Sequence, residues 1–154
     1  MGIEVELQLA SITSGIPSRN DFIKWVGASM AESKVEDVEV VVRIVDETEC
    51  ATLNKNYRGK TGPTNVLSFP YESPPQLETG LLGDLIICAP VIEREAKDQG
   101  KPVDAHWAHM AVHGTLHLLG YDHQTDEQAV EMESQEKIIL TGLGYDDPYR
   151  DDLD

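Results

Sequence analysis

Along residues 3–9, IEVELQL, apolar and polar positions alternate one for one, the period of a strand with one face buried. After Ser18, a residue type that caps helices, the period lengthens. Phe22, Ile23, Trp25, Val26 and Met30 then fall on one face of a helix running to about Glu32. VEVVVRIV, 38–45, is the strongest strand pattern in the chain. Asp46 stands where a cap would open a helix through Leu53 and Tyr57, and RGKTGPTN, 58–65, with two glycines and a proline, reads as a turn. VLSF, 66–69, and LLGDLIIC, 81–88, are two more strands, separated by the proline-rich loop of 70–80, PYESPPQLETG. Helical periods follow at 90–99, 103–119 and 125–141.

Strands interleaved with two helices, then three helices in succession, predict an α+β fold: a small, mainly four-stranded mixed sheet covered by about five helices. A chain of 154 residues is enough for one hydrophobic core and short for two, so a single domain over 1–154 is expected, with an acidic tail from about 146. No apolar run approaches the ~18 residues that cross a bilayer, and MGIEVELQLA lacks the basic start and apolar stretch of a secretion signal. These features point to the cytoplasm and to no membrane partner. Cys50 and Cys88 cannot build a disulfide framework and are expected to be reduced thiols in the core.

The formal charge of −16 argues against broad, nonspecific affinity for nucleic acid. Two stretches depart from that average. Residues 50–71 hold no Asp or Glu but contain Lys55, Arg58 and Lys60. Residues 105–121 hold no charged side chain of either sign apart from four of the five histidines. The acidic run at 126–136 and the tail DDPYRDDLD read as solvated surface.

His106, His109, His113, His117 and His123 all lie within 18 residues. His113 and His117 are one helical turn apart on one face, the spacing at which two imidazoles reach one ion. Adding His109 would stretch the set over about 12 Å of helix rise, too far for a single ion, so the third ligand must come from beyond the helix. Gly120, three residues after His117, can adopt the left-handed conformation that ends a helix and returns the chain, bringing His123 to the same point. His106 and His109 are expected to cap or support rather than ligate. Three neutral imidazoles favour one zinc ion, with nickel, copper or cobalt able to occupy the same ligands in vitro, and they leave a coordination position open for catalysis.

The spacing His-x-x-x-His-x-x-Gly-x-x-His resembles the zinc motif of metzincin proteases, in which a glutamate directly after the first histidine is the general base. Here that position is Gly114, which has no proton-accepting side chain and costs about 1 kcal/mol in a helix relative to alanine. The close approach of a neighbouring backbone or of substrate would account for it. Zinc-site geometry is thus kept while the proteolytic base is missing.

YRGKTGPTNVLSFP (57–70), LLGDLIIC (81–88) and AHWAHMAVHGTLHLLGYDH (105–123), in this order and continued through DQGKP and GLGYDDPY, resemble the YbeY family over nearly the whole chain. The resemblance implies a single-strand-specific, metal-dependent endoribonuclease that matures the 3′ end of small-subunit ribosomal RNA and serves ribosome quality control. It implies zinc on His113, His117 and His123 and a functional arginine at Arg58. Precursor rRNA, the small subunit with its proteins, and an assembly GTPase are the implied partners. The residues agree at Arg58, since a guanidinium beside a glycine-containing turn in an acid-free stretch suits a two-pronged grip on phosphate. Asp122 could orient a ligand histidine, Ser68 and Asp84 have structural explanations, and none of the three is counted as catalytic. Two other readings stay open, a zinc hydrolase of the protease class and a noncatalytic, metal-stabilised assembly factor.

Overall fold

A computed structural model describes residues 2–31, 37–70 and 81–149. In chain order its elements are β1 (Gly2–Ala10), α1 (Arg19–Ser29), β2 (Asp37–Val45), α2 (Glu47–Arg58), β3 (Val66–Pro70), β4 (Leu81–Cys88), α3 (Ala89–Gln99), α4 (Val103–Leu118) and α5 (Asp126–Gly142). The four strands form one sheet in the order β1-β2-β4-β3. β1 and β4 both run parallel to β2, and β3 runs antiparallel to β4, so the sheet is mixed as the pattern predicts.

Period-two patterning sorts the strand side chains between two apolar layers. Val38, Val40, Val42 and Ile44 of β2, with Leu85 and Ile87 of β4, join Phe22, Trp25 and Val26 of α1 and Trp107, Ala111 and Leu116 of α4 in the main core. Their sheet neighbours Val45, Ile86 and Cys88 face the other way, onto Cys50 of α2 and Val91 of α3. Both cysteines are free and fully buried. α4 carries eleven buried residues because it is enclosed by α1, α3, α5 and the sheet.

Helix starts follow local chemistry. Ser18 and Asp21 form a reciprocal capping box at α1, and Thr125 and Gln128 form another at α5. Asp46 precedes α2 as expected but makes no cap bond. Its carboxylate instead accepts hydrogen bonds from the Ser11 hydroxyl and the Ile12 amide, tying the chain after β1 to the start of α2. α1 closes at Ser29 with Met30 as its C-cap, short of the expected Glu32, which lies outside the described residues. So do residues 71–80 of the expected loop and 150–154 of the tail. No helix among the described residues is long and apolar enough to cross a membrane.

Candidate metal centre

The C-terminal end of α4 turns back through a hydrogen-bonded cap. The Gly120 amide donates to His117 O and the Tyr121 amide to Leu116 O, both at 3.0 Å, the paired bonds that close a helix on a left-handed residue. Gly120 has φ +105°, a conformation that side-chain-bearing residues rarely adopt. The reversal brings His123 over the last two turns of α4. His113, His117 and His123 thereby offer ligand atoms that all lie within 4.8 Å of one another, so the three could hold one metal ion. Their ring centroids are 4.7, 5.0 and 5.7 Å apart. Burial pushes the His117 imidazole below its ordinary pKa, and the neighbouring His113 and His123 add to the effect, which favours the neutral form that ligates.

A close approach of α4 to the sheet explains the glycine at 114. A Cβ there would stand 2.8 Å from Leu85 Cδ2, 3.2 Å from Val66 Cγ2 and 3.3 Å from Ser68 Oγ. The Ser68 hydroxyl donates to Gly114 O at 3.1 Å, which gives that strand hydroxyl its structural role. Side chains of β3 and β4 therefore occupy the place where a glutamate would have to go.

Behind the three imidazoles lies a carboxylate that the sequence reading missed. Glu136 of α5, in the acidic run read as solvated surface, is fully buried. Its Oε2 accepts from His113 Nδ1 and its Oε1 from His109 Nε2, each at 2.6 Å, and the Tyr149 hydroxyl also donates to Oε1. Burial alone would push this carboxyl up, but the bonds and charge of His109 and His113 outweigh it and hold its pKa at about 2. Burial, with the Glu136 carboxylate adding to it, pushes the Tyr149 phenol upward, so the phenol stays a donor. The tail's beginning thus touches the centre through the Tyr149 hydroxyl, while Asp146 and the rest of Tyr149 stay exposed. One signal did exist: Met132, Glu136 and Leu140 recur every four residues on α5, placing an acid in the middle of a buried stripe.

His109 is buried and supports Glu136, while His106 is buried and pairs with Glu95 at 2.8 Å, away from the centre. Asp122 does not reach a histidine ring by any of its described bonds; Oδ1 accepts from the His123 backbone amide at 2.8 Å and shapes the turn.

Arg58 ends α2, where Gly59 closes the helix at φ +68°. Its exposed guanidinium lines a cleft of about 920 Å³ together with His113, His117 and His123. Among the described residues no carboxylate pairs with it, and Asp122 is the only acid in the cleft wall. Lys60, Tyr57, Ser68 and Phe69 line the same cleft, and Lys55 lies outside it.

Three imidazoles on one helix and the turn after it, with an arginine lining the same open cleft, form a site able to hold a metal. The family model of Endoribonuclease YbeY matches residues 11–144, and the chain belongs to that family. Its members are nucleases, so RNA is the substrate class that membership carries. Among solved structures, the chain is similar to the solution structure of TM1509 from Thermotoga maritima, with a TM-score of 0.55 and 23% identity over 96% of this chain and 99% of that one. That likeness concerns the fold.

Proposed function

We propose that this chain, acting as one domain, is a cytoplasmic zinc-dependent endoribonuclease that cuts single-stranded RNA in maturing the 3′ end of small-subunit ribosomal RNA, with a part in ribosome quality control. His113, His117 and His123 would hold one zinc ion, and Arg58 the scissile phosphate. The single observation that supports this most is the shared cleft, which puts a guanidinium unpaired among the described residues and a three-imidazole cluster on the same cavity in a chain of charge −16.

When bound, the ion supplies Lewis acidity at a phosphoryl oxygen and lowers the pKa of water towards neutrality. The chain's own residues do the rest. Arg58 offers two parallel N–H donors to nonbridging phosphate oxygens and stabilises the charge that grows as phosphorus is attacked. Tyr57, largely exposed and held edge-on by Phe69 with ring centroids 4.7 Å apart, offers a face on which a base can stack. Only an unpaired base can leave its neighbours for that face, which favours single strands.

The test is a cleavage assay on single-stranded RNA and on casein, with matched wild-type and Arg58→Ala preparations checked for zinc content and folding. Arg58→Ala should lose about a hundred- to a thousandfold in rate with zinc and melting temperature unchanged. Arg58→Lys should recover only part, because an ammonium lacks the planar fork. Full activity in Arg58→Ala removes the arginine from the mechanism, and cleavage of casein alone overturns the reading. The charge of −16 favours one further possibility, a noncatalytic assembly factor that docks on basic ribosomal proteins. On that reading the wild type never cuts RNA, and loss of the histidines lowers stability alone.

A further inference from the structure

Glu136 is a fully buried carboxylate whose described partners are two imidazoles and a phenol, none of them a lysine or arginine. A buried carboxylate stays ionised only with hydrogen bonds and a positive charge close by, and a cation held by the histidines would supply that charge in place of protons on the rings. The position of its three bonds indicates where that counter-charge belongs. An ionised carboxylate only accepts, so the 2.6 Å contact to His113 requires the proton on Nδ1. The Nε2 lone pair of His113 is then left for the cluster it forms with His117 and His123. His109 and Tyr149 bind the other oxygen, Oε1, and fix the carboxylate in that orientation. Among the described residues His109 Nδ1 has no hydrogen-bond partner, so apart from a 3.3 Å contact to the Tyr149 oxygen that ring's described polar contacts go to Glu136.

We propose that Glu136 is the positioning residue of the metal centre: it selects the ligating tautomer of His113, fixes the ring's direction, and supplies a buried negative charge that strengthens the hold on a divalent cation. The inference rests on the metal-site reading and assigns a task to α5 and to the start of the tail. Carboxylate, imidazole and metal in series are a general means of raising a ligand's basicity. Here the carboxylate is itself braced from the C-terminal side. Tyr149 ties the chain just beyond α5 to the same oxygen as His109, so the start of the tail becomes part of the centre's support.

The experiment measures zinc affinity by chelator competition, and the visible spectrum of the cobalt-substituted protein, for wild type, Glu136→Gln, Tyr149→Phe and Val42→Ala. Val42 is a fully buried β2 residue of the main core, and its truncation controls for loss of stability alone. Glu136→Gln keeps shape but loses charge and should weaken zinc binding about 10- to 100-fold with a changed cobalt spectrum. Tyr149→Phe, which removes one donor to the carboxylate, should weaken it by a smaller factor. Val42→Ala should lower the melting temperature and leave affinity and spectrum as in wild type. Glu136→Gln binding zinc as tightly as wild type overturns the proposal, as does an affinity that simply follows melting temperature across the set. Failure of the wild type to bind zinc overturns the metal-site reading itself, and is told apart because the unmutated protein fails.

Discussion

The three candidate ligands were legible because their spacing is a geometric statement: four residues on a helix, then a glycine, then three more to the returning histidine. Arg58 was singled out through family resemblance and the absence of acids around it, and the structure adds only that it lines the histidines' cleft. Glu136 was not, because its neighbours Glu131 and Glu133 are exposed and only the helical phase of position 136 separates it from them. Burial in the core depends on what α5 packs against, and that partner, α4, lies far enough back in the chain that local pattern does not name it. The ligand set predicts a graded response to substitution. His113→Ala, His117→Ala and His123→Ala should each abolish most zinc occupancy, measured by metal analysis after dialysis, since two protein ligands rarely hold zinc in water. His106→Ala should retain it, because its ring bonds to Glu95. His109→Ala should fall between, since it removes a brace of Glu136 and no ligand. Equal losses from His106→Ala and His123→Ala would mean that the third ligand is misassigned.

The nine elements of the described residues lie where hydrophobic periodicity put them, with ends displaced by a few residues at most, because each has a face or stripe that must be buried and local capping or turn chemistry to stop it. What periodicity could not supply was how closely two elements approach. At Gly114 the pattern recorded only that a helix carries a costly glycine, whereas the packing shows α4 resting on Leu85, Val66 and Ser68. The same contact answers why no proteolytic base is present, since that position faces the sheet. Gly114→Ala therefore sets two effects against each other. Alanine gains about 1 kcal/mol in helix propensity, while forcing a methyl into a packed interface costs about 1–3 kcal/mol. Leu85 is fully buried and β3 bonds to the helix through Ser68, so room to yield is small and overpacking should win. Denaturant unfolding should show Gly114→Ala destabilised by about 1 kcal/mol, and Gly114→Glu should fail to fold rather than acquire protease activity. A Gly114→Ala protein more stable than wild type would show that the helix and sheet are less tightly joined than these distances imply.

Charge is distributed unevenly over the protein: 28 acidic residues against 12 basic ones, yet a cleft whose wall, among the described residues, carries Arg58 and Lys60 and only one acid. On the proposed function, such a body would repel RNA at long range and accept it in the cleft. Two opposing salt effects follow. Displacing counterions from phosphates makes binding weaken as salt rises, by a slope of about −0.7 per phosphate contacted on a single strand. Screening the general repulsion between two polyanions makes binding strengthen over the same range. With two cations in the cleft the first effect should give a slope near −1.4, and the second should make the observed slope shallower still. Fluorescence anisotropy of a short single-stranded RNA between about 50 and 200 mM potassium chloride measures it, with zinc-loaded protein throughout. Arg58→Ala should flatten the slope further, because a phosphate contact is lost. Tyr57→Ala should weaken binding about 5- to 100-fold at every salt concentration and leave the slope alone, because stacking on a ring displaces no counterions. A slope steeper than about −3 would mean that cations outside the cleft grip the RNA, and that the cleft is only part of the surface that holds it.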